Sequence, residues 1–215
     1  MKYIDEPLRK YFEEAASGSE TPGGGSIAGI CGALAAAMMS MVCNFTIGRK
    51  KYAEVEEEVK RMREIAMKQL DNMLRYAVED TEEFESVAQA YGMPKKTETE
   101  RQARAQAIQE GCKRAIKAPE QIIEAALTIL RGVKRLGEIG NKNLISDVGV
   151  SAIMAAATAE SAALNVKINL KFIEDTAFTA AKHKKIDAEL VEVREIAAEV
   201  KNKVYGSIMT DSASS

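Results

Sequence analysis

The chain of 215 residues is predicted to be all-α: a single-domain, up-and-down helical bundle with two buried small-residue helices. Three observations predict this class. Only four prolines interrupt the chain, and Ala, Glu, Lys, Leu and Met, which favour helices, are abundant. Apolar residues recur at helical spacing, and no segment alternates apolar and polar residues as a strand would. A chain of this length can bury a sizeable core as one domain.

Seven helical segments are predicted, approximately at residues 3–16, 26–47, 52–91, 98–117, 120–139, 146–179 and 187–205. Breaks at "SGSETPGGG", "GMP", Pro119 and "GN" separate several of them, because Pro and Gly end helices. The helical domain is predicted to span residues 1–205. The last ten residues, 206–215, are expected to form a frayed tail.

Composition argues against several classes of partner and cofactor. The formal charge is −2, from 30 basic and 32 acidic residues, and Trp is absent, so neither an electrostatic footprint nor a stacking surface for nucleic acid is present. Cys31, Cys43 and Cys112 form no C-x-x-C pair, and His183 is the one histidine, so no metal site is predicted. The odd cysteine count and the lack of a signal peptide predict a cytoplasmic protein.

An uncharged run from Ser26 to Gly48 is long enough to cross a membrane. Its residues are mostly small, however, and small side chains allow close packing between helices. The comparable run "SAIMAAATAESAALNVKI" is interrupted by Glu160 and Lys167. We therefore interpret both as central helices of a bundle and predict no membrane partner.

The turn "TPGGGS", residues 21–26, opens the first of these helices. It is not a phosphate-binding loop, because no lysine follows the glycines and no strand precedes them. Gly23, Gly24 and Gly25 leave backbone N–H groups unshielded at the positive end of a helix, and Ser26 is placed to cap it. Either these groups bind a carbonyl or anion of a ligand, or the glycines only permit a tight turn.

One acidic residue interrupts the apolar stripe of the third segment. The stripe runs from Val55 to Tyr91, and ten steps advance 36 positions along the chain if Asp80 is counted. The mean step is 3.6 residues, which is the period of one long helix. Burial raises the pKa of a carboxyl group and suits it to acid–base catalysis near neutral pH. The alternative is a carboxylate paired with a group from a neighbouring helix.

A second polar cluster lies in "IGNKNLISDVGVSA" and contains Asn141, Asn143, Ser146 and Asp147. Ser146 or Asp147 can serve as the N-cap of the next helix. Together with the asparagines, they can also provide the donors and acceptors of a polar ligand site.

Four ordered segments resemble the cyclodeaminase/cyclohydrolase family of folate enzymes. They are "TPGGGSIAGICGALAAAMMSMVCNFTIGRKKY", "VEDTEEFESVAQAYGMPKKTETERQARAQAIQEGCKRA", "GNKNLISDVGVSA" and "AALNVKINLKFIED", and they span about residues 21–175. The resemblance implies an all-helical homodimer that acts on a tetrahydrofolate derivative without metal or prosthetic group. The implied reaction closes 5-formimidoyltetrahydrofolate to 5,10-methenyltetrahydrofolate with release of ammonia; the alternative is a methenyltetrahydrofolate cyclohydrolase. A non-enzymatic helical scaffold is the remote alternative.

The resemblance also implies roles for individual residues. The catalytic aspartate of the family's D-x-x-x-F element falls on Asp80 in "DTEEF". Substrate contacts are expected from Gly23, Gly24, Gly25, Ser26, Asn141, Ser146 and Asp147. The folate's glutamate tail is an anion, so Arg49, Lys50, Lys51, Lys95 and Lys96 are candidates to bind it, or are otherwise solvated surface residues. In this family the reaction serves histidine degradation, and fermentative or other one-carbon roles are also compatible with the chain.

Overall fold

The structure, a computed structural model, describes residues 5–211 as a bundle of α-helices, and no strand occurs among them. The helices are α1 (Leu8–Ala15), α2 (Gly24–Asn44), α3 (Glu56–Tyr91), α4 (Glu98–Ala115), α5 (Lys117–Ile139), α6 (Ile145–Leu170) and α7 (Thr176–Asp211). Short 3-10 helices, Lys50–Val55 and Lys142–Leu144, precede α3 and α6. The predicted all-α class is confirmed.

Helices α2 and α6 form the centre of the bundle, as their small residues predict. They pack against each other, α3 and α5 pack against α2, and α5 and α7 pack against α6. The Ser151 hydroxyl of α6 donates to the Ala35 carbonyl oxygen of α2 at 2.7 Å, a distance that only small neighbouring side chains permit. Larger apolar side chains of α5 and α3, including Ile122, Leu130 and Met73, fill the surrounding core.

The predicted boundary between the last two helices is wrong. Helix α6 ends at Leu170 rather than near residue 179, and α7 begins at Thr176 rather than near residue 187. The Asp175 carboxylate accepts a hydrogen bond from the Phe178 N–H at 3.0 Å and so caps α7. No Gly or Pro marks this turn, so the prediction extends the sixth helix across it and leaves residues 180–186 between two helices, whereas they lie inside α7.

Other predicted boundaries also differ from the structure. Pro119 lies inside the first turn of α5, where a missing N–H breaks no helical hydrogen bond, rather than between two helices. Helix α7 continues to Asp211, so the predicted helix end at Tyr205 is wrong. The rest of the predicted tail, residues 212–215, and the first residues of the predicted first helix, 3–4, lie outside the described residues.

By length and composition, two segments could cross a membrane: Gly24–Asn44, and also Lys142–Leu170, despite its Glu160 and Lys167. The second finding differs from the expectation that only the first would qualify. In the bundle, each of these two helices packs one face of small residues against the core. Neither is buried all round, because Ile27 and Leu34 of α2 and Leu164 of α6 are exposed.

Candidate active site

A cavity of about 470 Å³ lies between the N-terminus of α2, the C-terminal half of α3, α4 and the end of α6. This volume is typical of small-molecule sites. Its lining residues are Glu20, Thr21, Gly23, Gly24, Asp80, Thr81, Phe84, Val87, Tyr91, Cys112, Ala115, Asn165, Ile168, Asn169 and Phe172. The predicted glycine turn and the predicted catalytic aspartate thus meet in one cavity.

Asp80 is partly buried on the cavity side of α3. Burial raises the pKa of its carboxyl group from the ordinary value of 3.8 to about 6, and the backbone N–H of Ser26, which donates to the carboxylate, opposes this rise. The charge on Asp80 is thus stabilised by a main-chain dipole at the start of α2. A carboxyl group with a pKa near 6 can both accept and donate a proton close to neutral pH.

The glycines of the turn make room for two polar side chains. A Cβ atom at Gly25 would overlap the Asp80 carboxyl group, so a side chain at position 25 and the observed position of Asp80 exclude each other. A Cβ atom at Gly24 would lie 3.3 Å from Nδ2 and Oδ1 of Asn165. Asp80 and Asn165 therefore flank the first turn of α2 from two sides.

The start of α2 differs from the prediction in one detail. The helix begins at Gly24 and its N-cap residue is Gly23, which has no side chain to satisfy the first N–H groups. Ser26 lies inside the helix and does not cap it. Its hydroxyl is instead 3.0 Å from the Tyr11 hydroxyl, in a buried hydrogen bond.

The cavity has apolar walls and a polar end. Phe84, Tyr91 and Phe172 present aromatic faces or edges, and Val87 and Ile168 complete the walls. Flat ring systems stack on such surfaces. Two amides of α6, Asn165 and Asn169, add donors and acceptors beside the glycine turn; each Nδ2 already donates at 2.9 Å to a carbonyl oxygen one turn earlier in the helix.

The polar cluster of residues 141–147 lies at the other end of α2, which has 21 residues and is about 30 Å long. Asn141 binds the end of α2 through two hydrogen bonds of 3.0 Å. Its backbone N–H donates to Thr46 Oγ1, and its side-chain Nδ2 donates to the Phe45 carbonyl oxygen. Ser146 and Asp147 lie in the first turn of α6. None of the three lines the cavity of its own chain.

The basic candidates are divided between the two ends of the bundle. Arg49 and Lys50 follow α2 and lie near Asn141, far from Asp80. Lys95 lies in the turn after α3, four residues beyond the cavity residue Tyr91. One chain therefore brings Gly23, Gly24, Gly25, Ser26 and Asp80 together and leaves Arg49, Lys50, Asn141, Ser146 and Asp147 apart from them.

Sequence reasoning did not single out the two amides of α6 or Phe172. Asn165 and Asn169 are four residues apart, so they share one helix face, and this spacing was the available signal. Phe84 and Tyr91 were interpreted as core residues, but each side chain is more than two-fifths exposed, at 44% and 45%, because the cavity lies between them and α6. Among the described residues, no group of three or more His, Cys, Asp or Glu could hold a metal ion.

Comparisons with known proteins agree on one family. Residues 7–188 match the family described as formiminotransferase-cyclodeaminase. The chain is 39% identical to a methenyltetrahydrofolate cyclohydrolase from Methylorubrum extorquens, over 95% of this chain and 96% of that protein. It is 32% identical to the mouse formimidoyltransferase-cyclodeaminase over 91% of this chain and 36% of that longer protein.

A solved structure extends the similarity to the fold. The crystal structure of formiminotetrahydrofolate cyclodeaminase from Thermotoga maritima matches with a TM-score of 0.86 and 30% identity, over 95% of this chain and 98% of that one. The fold is that of an all-helical class of enzymes. In this chain, the carboxyl group of Asp80 lies at the polar end of the cavity. The chain belongs to the formiminotransferase-cyclodeaminase family.

Proposed function

We propose that the protein acts on a tetrahydrofolate derivative, at a one-carbon unit that is attached to N5 or bridges N5 and N10. The observation that carries this proposal is the partly buried Asp80, with a pKa of about 6, at the polar end of the 470 Å³ cavity. Folate has a flat pterin and a flat aminobenzoyl group, and the aromatic walls suit both. Family membership supplies the class of substrate.

Asp80 is the acid–base group of the proposed reaction. The formimidoyl group reacts in its protonated form, N5–CH=NH2⁺. N10 attacks its carbon, and a tetrahedral centre that carries a neutral NH2 group forms. The Asp80 carboxylate accepts the proton that N10 loses, and the resulting carboxylic acid gives it to the departing nitrogen, which leaves as ammonia. The carboxylate that remains stabilises the cationic methenyl product. The bare start of α2 at Gly23–Gly25 lets the reacting centre approach the main chain.

Two different reactions are supported by different relatives. The Thermotoga structure, named a cyclodeaminase, covers nearly the same length as this chain and supports ammonia release. The Methylorubrum protein, named a cyclohydrolase, also matches end to end and supports hydrolysis of the methenyl group. In the second reaction, Asp80 takes the proton from the attacking water. The same carbon and the same carboxyl group serve both reactions.

A homodimer completes the proposal. Exposed apolar side chains continue from α2 to the adjacent α6: Ile27, Leu34, Val150, Ile153 and Leu164, each 42–69% exposed. An exposed apolar face of this kind typically marks a protein interface. In an antiparallel pairing of the two α2 helices, the partner's Arg49 and Lys50 approach the cavity. This arrangement would reunite the two groups of predicted site residues.

The first experiment follows methenyltetrahydrofolate by its near-ultraviolet absorbance with the purified protein. With 5-formimidoyltetrahydrofolate, appearance of the chromophore and of ammonia identifies a cyclodeaminase. With preformed methenyltetrahydrofolate, faster loss of the chromophore alone identifies a cyclohydrolase. Repeating the assay with a polyglutamated folate and Lys95→Ala measures whether Lys95 binds the tail.

The Asp80→Asn variant tests the assignment of the acid–base group. A positioned acid–base group contributes about 10²–10⁴-fold to a rate, so the variant should lose at least about 99% of kcat. Asp71→Asn is the matched control, because Asp71 is an exposed aspartate of the same helix. Full activity of Asp80→Asn would refute the assignment, and no folate binding by the wild type would refute the substrate class.

A further inference from the structure

Helix α1 is attached to the bundle through one buried side chain, Tyr11, which is 4% exposed. Tyr11 lines a groove together with Leu8 of α1, Leu34 of α2 and Leu70 of α3. Its hydroxyl group makes a buried hydrogen bond of 3.0 Å with the Ser26 hydroxyl. Tyr11 therefore links α1 to the first turn of α2.

Ser26 is the residue that contacts Asp80 through its main chain. It is 1% exposed and follows Gly25, where an added Cβ atom would overlap the Asp80 carboxyl group. The backbone N–H of Ser26 therefore faces this carboxyl group and lowers its pKa. Gly23, Gly24 and Gly25, directly before it, have no side chains that could fix the turn, and the N-cap residue makes no side-chain hydrogen bond. Glycine is the most flexible residue, so this turn depends on contacts from outside to hold its shape.

We propose that Tyr11 is a positioning residue of the active site: it holds Ser26 so that the Ser26 N–H faces the Asp80 carboxyl group. This inference rests on the proposed function, in which Asp80 transfers the proton. Tyr11 itself does not line the cavity; it acts on Asp80 through its hydrogen bond with Ser26. A residue of the peripheral helix α1 thus takes part in building the reactive centre.

The consequence of losing Tyr11 has a definite sign. The Ser26 N–H stabilises the charged form of Asp80, so a loosened turn raises the pKa of the carboxyl group further. Other ionisable groups on the cavity wall are Glu20 of the turn, Tyr91 of α3 and Cys112 of α4, whereas α6 contributes only amides and apolar groups. Glu79 and Glu83 of α3 are paired with Arg75 and Arg114.

The test is Tyr11→Phe, which keeps the ring in its groove and removes the hydroxyl group. The pH–rate profile and a carbon-detected NMR titration of the Asp80 carboxyl group are measured for wild type and variant. We expect the Asp80 titration and the acidic limb of kcat to move up by about half to one pH unit, the scale of a partly lost hydrogen bond to a charged group. Ser26→Ala, which lacks the other hydroxyl, should give the same shift, and the double variant should add nothing.

Tyr205→Phe is the control, because Tyr205 of α7 is 57% exposed and does not line the cavity. It should leave both titrations unchanged. A lower melting temperature of Tyr11→Phe with an unchanged Asp80 titration would overturn the inference, because Tyr11 would then only stabilise the fold. If Asp80→Asn keeps full activity, both the proposed function and the role of Tyr11 are refuted. If Asp80→Asn is inactive but Tyr11→Phe has the wild-type pH–rate profile, only the role of Tyr11 is refuted.

Discussion

In the proposed reaction the Asp80 carboxyl group transfers the proton, whereas its burial destabilises the folded chain. Its carboxyl group lies at the start of α2, partly removed from water, and the Ser26 N–H is the one favourable contact that lowers its pKa. Because the remaining effect is burial, the charged form is less stable in the folded chain than in the unfolded chain. Burial of the charged carboxyl group therefore lowers the free energy of unfolding, whereas a surface ion pair raises it slightly.

Asp80→Asn should therefore raise the stability of the protein in a pH-dependent way. The carboxyl pKa is about 6 in the folded protein against an ordinary value of 3.8, so folding takes up a proton between these values. The stability of the wild type falls as the pH rises from about 4 to 6, and the full cost, of order 1–3 kcal/mol, is present above pH 6. Asparagine does not titrate, so the variant should be more stable at pH 8 and equally stable near pH 4.

Urea unfolding of both proteins at pH 8 and pH 4 measures this difference. The Asp71→Asn variant should show no comparable gain, because Asp71 is exposed. A wild type that is as stable as Asp80→Asn at both pH values would contradict the burial of a charged Asp80.

Asp80 could be predicted from the sequence, whereas its amide neighbours could not. A carboxylate in a stripe of period 3.6 stands out against ten apolar positions, and the "DTEEF" element reinforced it. Asn165 and Asn169 lie in a helix with small residues around them, where an amide is as often a surface residue as a ligand contact. Their role depends on α3 and α4 facing them across the cavity, and no local pattern encodes that distance.

Between elements, α2 and α3 pack closely against each other at Gly29. At Gly29, an added Cβ atom would lie 2.8 Å from the Ala77 Cβ atom and 2.9 Å from the Met73 carbonyl oxygen. Neither neighbour can move without moving α3, which carries Asp80 one turn further on. Packing at Gly29 thus controls the position of the site.

Gly29→Ala should push α2 and α3 apart and destabilise the protein by about 1–3 kcal/mol, as overpacking typically does. Gly132→Ala in α5 is the matched control, because its Cβ atom would meet only the flexible end of Met39. The control loses less, since Met39 can change rotamer and Ala favours a helix over Gly by about 1 kcal/mol. Urea unfolding of the two variants tests this, and a Gly29→Ala variant at least as stable as Gly132→Ala would contradict it.

The ends of the helices show where local signals were insufficient. The run of small residues correctly predicted the two central helices. The prediction that Ser146 or Asp147 is the N-cap of α6 is wrong, because α6 begins at Ile145 and neither side chain caps it. In the same cluster, Asn141 binds the end of α2. Its assignment to the substrate site stays a prediction, because a cap signal does not tell which end of a neighbouring helix it meets.

At the scale of the whole molecule, the exposed apolar residues of α2 and α6 predict the oligomeric state. The double variant Leu34→Glu/Leu164→Glu would place two charges in the proposed interface. The charges would not enter the core, since Leu34 and Leu164 are 53% and 69% exposed. The double variant should weaken the dimer by at least about 100-fold, a change of about 3 kcal/mol.

Light scattering coupled to size-exclusion chromatography measures this change. Val191→Glu is the control, because Val191 is 51% exposed on α7, and α7 packs on α5 and α6 rather than on α2. A double variant that stays dimeric at micromolar concentration, or a monomeric wild type, would contradict the proposed interface. Loss of affinity for a polyglutamated folate together with the dimer would support the proximity of the partner's Arg49 and Lys50.

The clash between a side chain at position 25 and the Asp80 carboxyl group also constrains how such chains can diverge. Because the two cannot coexist in this geometry, a mutation at Gly25 removes the reactive carboxyl group from its place even when Asp80 itself is intact. The residues at positions 25 and 80, which are 55 positions apart in the chain, therefore constrain each other during evolution. A descendant with alanine at position 25 would keep the residues of the bundle, but the proposed acid–base group would no longer lie at the start of α2. Loss of this glycine would therefore mark a loss of the proposed activity even in a chain that retains Asp80.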